Sequence, residues 1–400
     1  MRLLFVHDRF GALAGAEVNV LLTARELQRR GHHVALVHGP STGKDEAGWQ
    51  NTFPWRLAID PADSAAAVKK AIETFSPDIV FVHKMADLDV LETLANSDTP
   101  VVRMVHDHDL YCMRGYKYHY FSRQICTRAA SPFCIFPCGA SVARDPNSPI
   151  PFRWVGYTDK RREIDLNRRF KRMIVATDYM RDELLKNGFT PENIEIHAPV
   201  PALPDVVSRS SLDERNRIVY SGQIVRGKGV DVLLEALALV TVPFECVILG
   251  DGNHRPYCER LTRTLGLGDR VRFAGFVPYE KIQEYYREAS LAVMSSVWPE
   301  PFGAVGLEAM CHGLPVVAFD AGGIREWLID GVTGYLAPWM DRVRYAGCVD
   351  LLLKDKQLAR EMGGRGRHWV EQRFNFENYI DGLEDMFARV ASTPSEMVRT

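Results

Sequence analysis

Five short apolar runs, each closing on polar residues, set the first constraint: RLLFVH (2–7), HVALVHG (33–39), DIVFVHK (78–84), PVVRMVHD (100–107) and RMIVATD (172–178). Stretches of helical spacing separate them. In VNVLLTARELQRRG (18–31), Leu21, Leu22, Ala24 and Leu27 share one face and Gly31 supplies a stop. Helices are likewise expected over 65–75, 88–95 and 179–187. Near-continuous apolar strands alternating with helices read as a parallel sheet covered on both faces. A second set follows: RIVYSGQ (217–223), ECVILGDG (245–252), RVRFAGFV (270–277), LAVMSS (291–296) and PVVAFD (315–320). Its helices are expected over 230–240, 256–265, 279–289 and 304–312. The fold class is therefore α/β, with two Rossmann-like doubly wound domains facing a cleft and ligands at the carboxyl ends of the strands.

The proline-rich stretch 197–216 has no clear period and reads as the linker. The domains are then 1–200 and 217–380, with a C-terminal helix and tail over 381–400. An aromatic and cysteine-rich insertion at about 108–150 breaks the alternation of the first domain.

At 400 residues, 46% apolar and 25% charged, the chain has material for two ordinary cores. A net charge of -2 offers no basic field for nucleic acid. No apolar run is long enough to span a bilayer. The start, MRLLFVHDRF, meets His7 and Asp8 too early for a secretory signal, and eight cysteines are too sparse for a disulfide scaffold. A cytoplasmic enzyme is expected.

Several strand ends carry candidate chemistry. Gly11, Gly15 and Glu17 lie between the first strand and its helix, where glycine and a helix N-terminus suit an anion; the plain alternative is a close-packed turn. In YSGQIVRGKGVDVLLEAL (220–237), Arg226 and Lys228 stand between glycines before a helix, either as a diphosphate grip or as a solvated basic turn. Gly250, in Gly-Asp-Gly, closes a buried strand either at a ligand or in a plain turn, and Val277, in AGFVP, closes another whose free backbone groups suit a flat base edge. In WPEPFGAVGLEAM, Pro299 and Pro301 stiffen the backbone around Glu300. Glu308 sits among Val305, Leu307, Ala309 and Met310, where a carboxylate needs partners or an open site.

EPFGAVGLE carries the E-x7-E signature and resembles the retaining glycosyltransferases of family 4, which have the GT-B fold. The resemblance runs in order along nearly the whole chain: the loop at 11–17, MVHDHD (104–109), the G-x5-K-G loop at 222–229, LGDG, RVRFAGFV, and EPFGAVGLEAMCHGLPVVAFDAGGIREWLIDGVTGYLAP. It implies a nucleotide diphosphate sugar held mostly on the second domain, and an acceptor-side first domain. Glu308 would accept the ribose hydroxyls and Glu300 the donor-sugar hydroxyls. Backbone N–H groups of Phe302 and Gly303 would meet the sugar, and those of Ala304 and Val305 the phosphate. Lys228 would bind the diphosphate and stabilise it as it leaves, with Gly15 closing over it and His106 near the reaction centre. No cofactor is required by this chemistry. One position departs: where the family has an arginine after Gly222, this chain has Gln223, with Arg226 three residues on as a substitute.

Cys112, Cys126, Cys134 and Cys138 admit three readings: a structural zinc site, unligated thiols or a disulfide pair. Tyr111, Tyr116, Tyr118, Tyr120 and Phe121 read either as a self-packing loop or as a platform for an acceptor sugar. The basic run 159–173 reads as a solvated helix or as a contact with anionic lipid at the inner face of the membrane, which would suit a lipid-linked acceptor. The function expected is transfer of a sugar to a saccharide, lipid-linked or small-molecule acceptor. The rivals are a non-catalytic nucleotide-sugar-binding protein and a GT-B nucleotide-sugar epimerase.

Overall fold

The computed structural model describes residues 1–11, 15–144, 152–200 and 215–392. It divides into two compact units. The first contains Met1–Gly115, Thr127–Pro201 and Phe376–Thr400. Its strands are β1 (Arg2–His7), β2 (His33–His38), β3 (Trp55–Ala58), β4 (Ile79–Val82), β5 (Val101–Val105), a hairpin of β6 (Val142–Arg144) and β7 (Phe152–Trp154), β8 (Arg172–Val175) and β9 (Ile194–Ile196). Seven of them form one parallel sheet in the order β3-β2-β1-β4-β5-β8-β9. The chain winds outward from β1 to β3, then restarts on the other side at β4, so a topological switch lies between β1 and β4.

Local chemistry fixes the helices between these strands. Asp63 accepts from the Ala66 N–H, Asp87 from the N–H groups of Asp89 and Val90, and Thr177 from that of Met180. Each satisfies N–H groups that have no partner inside the helix. β3 and β9, at the sheet edges, are short and only partly covered, which explains why the apolar pattern did not announce them.

The domain boundary drawn at residue 380 falls inside a helix. Phe376–Ser392 is continuous and belongs to the first unit. Its apolar stripe of Tyr379, Ile380, Leu383, Met386, Phe387 and Val390 is buried, with Phe387 edge-on to Phe81. Arg30 reaches Glu377, Asp381 and Glu384 along the same helix.

The second unit holds β10 (Arg217–Ser221), β11 (Glu245–Leu249), β12 (Val271–Gly275), β13 (Leu291–Met294), β14 (Val316–Phe319) and β15 (Gly334–Ala337). Their order, β12-β11-β10-β13-β14-β15, is again parallel, with its switch between β10 and β13. Leu233, Leu234, Leu237, Ile248, Leu291, Val317, Phe319, Val349 and Met362 are among its fully buried core. The stretch 201–214, most of the expected linker, lies outside the described residues, as does 393–400 of the expected tail. No described helix is long and apolar enough to cross a membrane.

The expected insertion does not stay with the first domain. Tyr116–Cys126 groups with the second unit, while its flanks remain in the first.

Candidate active site

Lys228 and Glu300 meet at the switch point of the second unit. β10 leads into the 222–229 loop, and β13 leads into 295–303, so adjacent strands deliver both arms at their carboxyl ends. Lys228 Nζ lies 2.6 Å from Glu300 Oε1. Trp298 Nε1 donates to the same oxygen at 3.0 Å, and Ser296 Oγ also donates to it. Oε2 takes no donor among the described residues. Lys228 Nζ stands 5.0 Å over the Trp298 ring. Burial works to raise the Glu300 carboxyl, but the Lys228 charge and these hydrogen bonds outweigh it and hold the group below the usual carboxylate range.

Two glycines make this approach feasible. Gly229 has φ +65°, and a Cβ there would sit 2.1 Å from Ser295 O, so only glycine lets the Lys228 loop lie against the other arm. Gly322 has φ +67°, and a Cβ there would sit 2.4 Å from Glu300 O. Its neighbour Gly323 donates its N–H to that carbonyl at 2.8 Å, fixing the Glu300 backbone.

Glu308 lies on the helix Ala304–Cys311, which opens after Gly303. It is buried, no described group donates to it, and burial pushes its carboxyl up to about 7. The first turn, at Ala304 and Val305, presents N–H groups with no partner inside the helix. Phe302 is buried and its carbonyl accepts from Trp327 Nε1 at 2.6 Å.

The remaining expected positions differ in what they offer. Arg226 lies in the same loop as Lys228, whereas Gln223 is exposed and makes no side-chain hydrogen bond among the described residues. Gly250 does not offer a free backbone donor, because its N–H is already given to Gly275 O at 2.7 Å. Val277 is half-buried just beyond β12. Gly15 begins the first unit's helix Gly15–Arg29 and is exposed, and residues 12–14 of its loop lie outside the described residues.

His106 belongs to the first unit, directly after β5. Its Nε2 is 2.9 Å from His83 Nδ1, and the two rings stack. Burial lowers His106 to about 3 and His7 to about 4, and holds His83 well below its ordinary value, so all three rings are neutral near pH 7. Because β1, β4 and β5 are neighbours, their three terminal histidines come together. The sequence carried that signal as FVH, FVH and MVH at three strand ends, and only His106 was singled out. Ser296, which closes LAVMSS, and Trp298, which opens WPEPFGAVGLEAM, were given no role in the sequence reading.

Among the described residues no group of three or more His, Cys, Asp and Glu is arranged to hold a metal ion. Cys126 groups with the second unit, and Cys112, Cys134 and Cys138 with the first. In the basic run, Arg161 and Arg168 pair with Asp165 and Arg162 with Glu92, the arrangement of a solvated helix.

The family model for glycosyl transferases group 1 matches residues 207–369, and that for Glycosyltransferase Family 4 matches residues 13–199. The chain belongs to the family 4 glycosyltransferases. An alpha-D-kanosaminyltransferase of Streptomyces kanamyceticus is 32% identical over 54% of this chain and 60% of its own length. A D-inositol 3-phosphate glycosyltransferase of Xylanimonas cellulosilytica is 29% identical over 50% of each chain, and the chain spans about half the length of the curated relatives it matches. The crystal structure of Anabaena HepE in complex with UDP and glucose covers 97% of this chain and 100% of its own, with a TM-score of 0.72 at 20% identity. That likeness shows the GT-B fold, with two parallel-sheet Rossmann-like domains.

Proposed function

We propose that this glycosyltransferase moves a sugar from a nucleoside diphosphate sugar to a saccharide, lipid-linked or small-molecule acceptor, with retention at the anomeric carbon. The observation that carries the reading is the Lys228–Glu300 pair at the switch point, with Glu308 eight residues on, buried and without a donor among the described residues. A ribose diol supplies the two O–H donors that Glu308 lacks. A donor-sugar hydroxyl fits the open Oε2 of Glu300. Lys228 supplies positive charge where the leaving diphosphate develops negative charge, and N–H groups at Ala304 and Val305 add to it.

In this reaction the bond between the anomeric carbon and the phosphate oxygen breaks. The acceptor hydroxyl attacks from the same face, and its proton passes to the departing phosphate. Glu300 holds hydroxyls and is not a nucleophile, so the carboxylate-spacing rule for glycoside hydrolysis does not apply to it. His106, whose part in the reaction is what the family resemblance implies, is neutral near pH 7 and so offers a hydrogen-bonding group and not a charge.

Thermal shift with UDP-, GDP- and ADP-sugars tests the reading. At least one nucleotide class should raise the melting temperature, and slow hydrolysis of that donor without acceptor separates an enzyme from a binding protein. No shift with any of the three would overturn it.

A further inference from the structure

Tyr116–Cys126 closes on itself as a small strap. Cys126 N–H donates to Lys117 O at 2.7 Å, His119 N–H to Gln124 O at 2.9 Å, and Tyr118 bridges to Ile125. The strap belongs to the second unit, and it touches both arms of the candidate site. Arg123 grips Asp231 with two parallel hydrogen bonds, Nη1 to Oδ1 at 3.2 Å and Nη2 to Oδ2 at 2.5 Å, and both residues are buried. Asp231 stands in the first turn of the helix Val230–Leu237, two residues beyond Gly229 and three beyond Lys228. On the other arm, the Tyr116 ring lies 6.0 Å from that of Trp298, the residue that donates to Glu300.

Between these anchors the strap holds Arg226. Its guanidinium lies 4.8 Å over the Tyr120 ring, and Nη2 reaches Phe121 O at 3.5 Å. Arg226 Nε is buried and has no hydrogen-bond partner among the described residues. A buried N–H left unpaired is costly, so this cation is incompletely answered by the fold.

We infer that the strap is part of the donor-binding apparatus, and that Tyr120, fastened through Arg123–Asp231, is a positioning residue for Arg226 as the second cation of the diphosphate grip. This rests on the donor reading above. It gives a substitute for Gln223, exposed and uncharged where the family resemblance implies an arginine. A bidentate, buried ion pair holds a loop in one geometry far better than a solvated one, and a stacked guanidinium keeps its remaining N–H groups free for an anion.

Calorimetric titration of the full chain with UDP, GDP and ADP tests the inference. Taking whichever nucleotide the wild type binds, Tyr120→Ala should weaken binding about fivefold, and Tyr120→Phe should restore it. In an Arg226→Ala background Tyr120→Ala should have no further effect, which a general loss of stability would not reproduce. The exchange Arg123→Asp with Asp231→Arg should recover affinity lost in Arg123→Asp alone. If Tyr120→Ala leaves affinity unchanged, or weakens it equally with and without Arg226, the strap has no such role. A wild type that binds none of the three nucleotides overturns the donor reading and this inference with it.

Discussion

Lys228 Nζ and Glu300 Oε1 lie 2.6 Å apart, joining the loops that follow two neighbouring parallel strands. The pair stands at the one place in that sheet where the winding order reverses, which is where doubly wound folds leave room for a ligand. Its charge is therefore both a structural tie and a chemical resource.

Removing the cation separates those two parts. Lys228→Ala should lower turnover by about a hundredfold or more, the scale of losing one preorganised charge aimed at a leaving group. It should also lower stability by about 3 kcal/mol, because Glu300 is left buried without its counter-ion. The double variant Lys228→Ala with Glu300→Gln should regain stability in denaturant titration without regaining turnover. Turnover that recovers with stability would assign the pair a structural part alone.

Glu308 makes a pH prediction. With its carboxyl pushed up to about 7 by burial, the folded protein keeps a proton between roughly pH 4.5 and 7 that the unfolded chain has released. Stability should therefore fall as pH rises through that window, by up to about 3 kcal/mol, and Glu308→Gln should flatten the curve. Ribose hydroxyls that donate to the carboxylate favour its charged form, so nucleotide binding near pH 6 should release a proton. Titration calorimetry in buffers of different ionisation enthalpy measures that release, and the Glu308→Gln protein should show none.

The histidines of the first unit titrate in the opposite sense. His7, His83 and His106 all have folded values lowered by burial. Below about pH 6.5 the unfolded chain takes up protons that the folded unit refuses, so stability is lost as pH falls. Urea titrations at pH 7.5 and 5.5 should show this loss, and His83→Gln should reduce it. An unchanged difference in that variant would count against the buried, neutral assignment.

Gln223→Arg should be well tolerated, since the side chain is exposed, with turnover within about threefold of wild type. Steady-state kinetics with the preferred donor checks this. A large gain in donor affinity would mean that Arg226 does not complete the grip.

Much of the frame was legible in the sequence because both sheets are parallel and buried, so their central strands read as continuous apolar runs. Edge strands such as Trp55–Ala58 and Ile194–Ile196 were not legible, being short and half-covered. Glu300, Glu308 and Lys228 could be singled out because glycine and proline mark their loops and the family motif runs through them. Arg123 and Asp231 were not, because no local pattern joins residues so far apart in the chain. The same long-range packing carries Phe376–Ser392 to the first unit and Tyr116–Cys126 to the second.

The most direct test is release of nucleoside diphosphate from a panel of UDP-, GDP- and ADP-sugars, followed with wild type and Lys228→Ala protein side by side. The account predicts release from at least one donor by the wild type, enhanced by acceptor, and about a hundredfold less from the variant. Equal release by both proteins, or none from any donor with wild type, would contradict it.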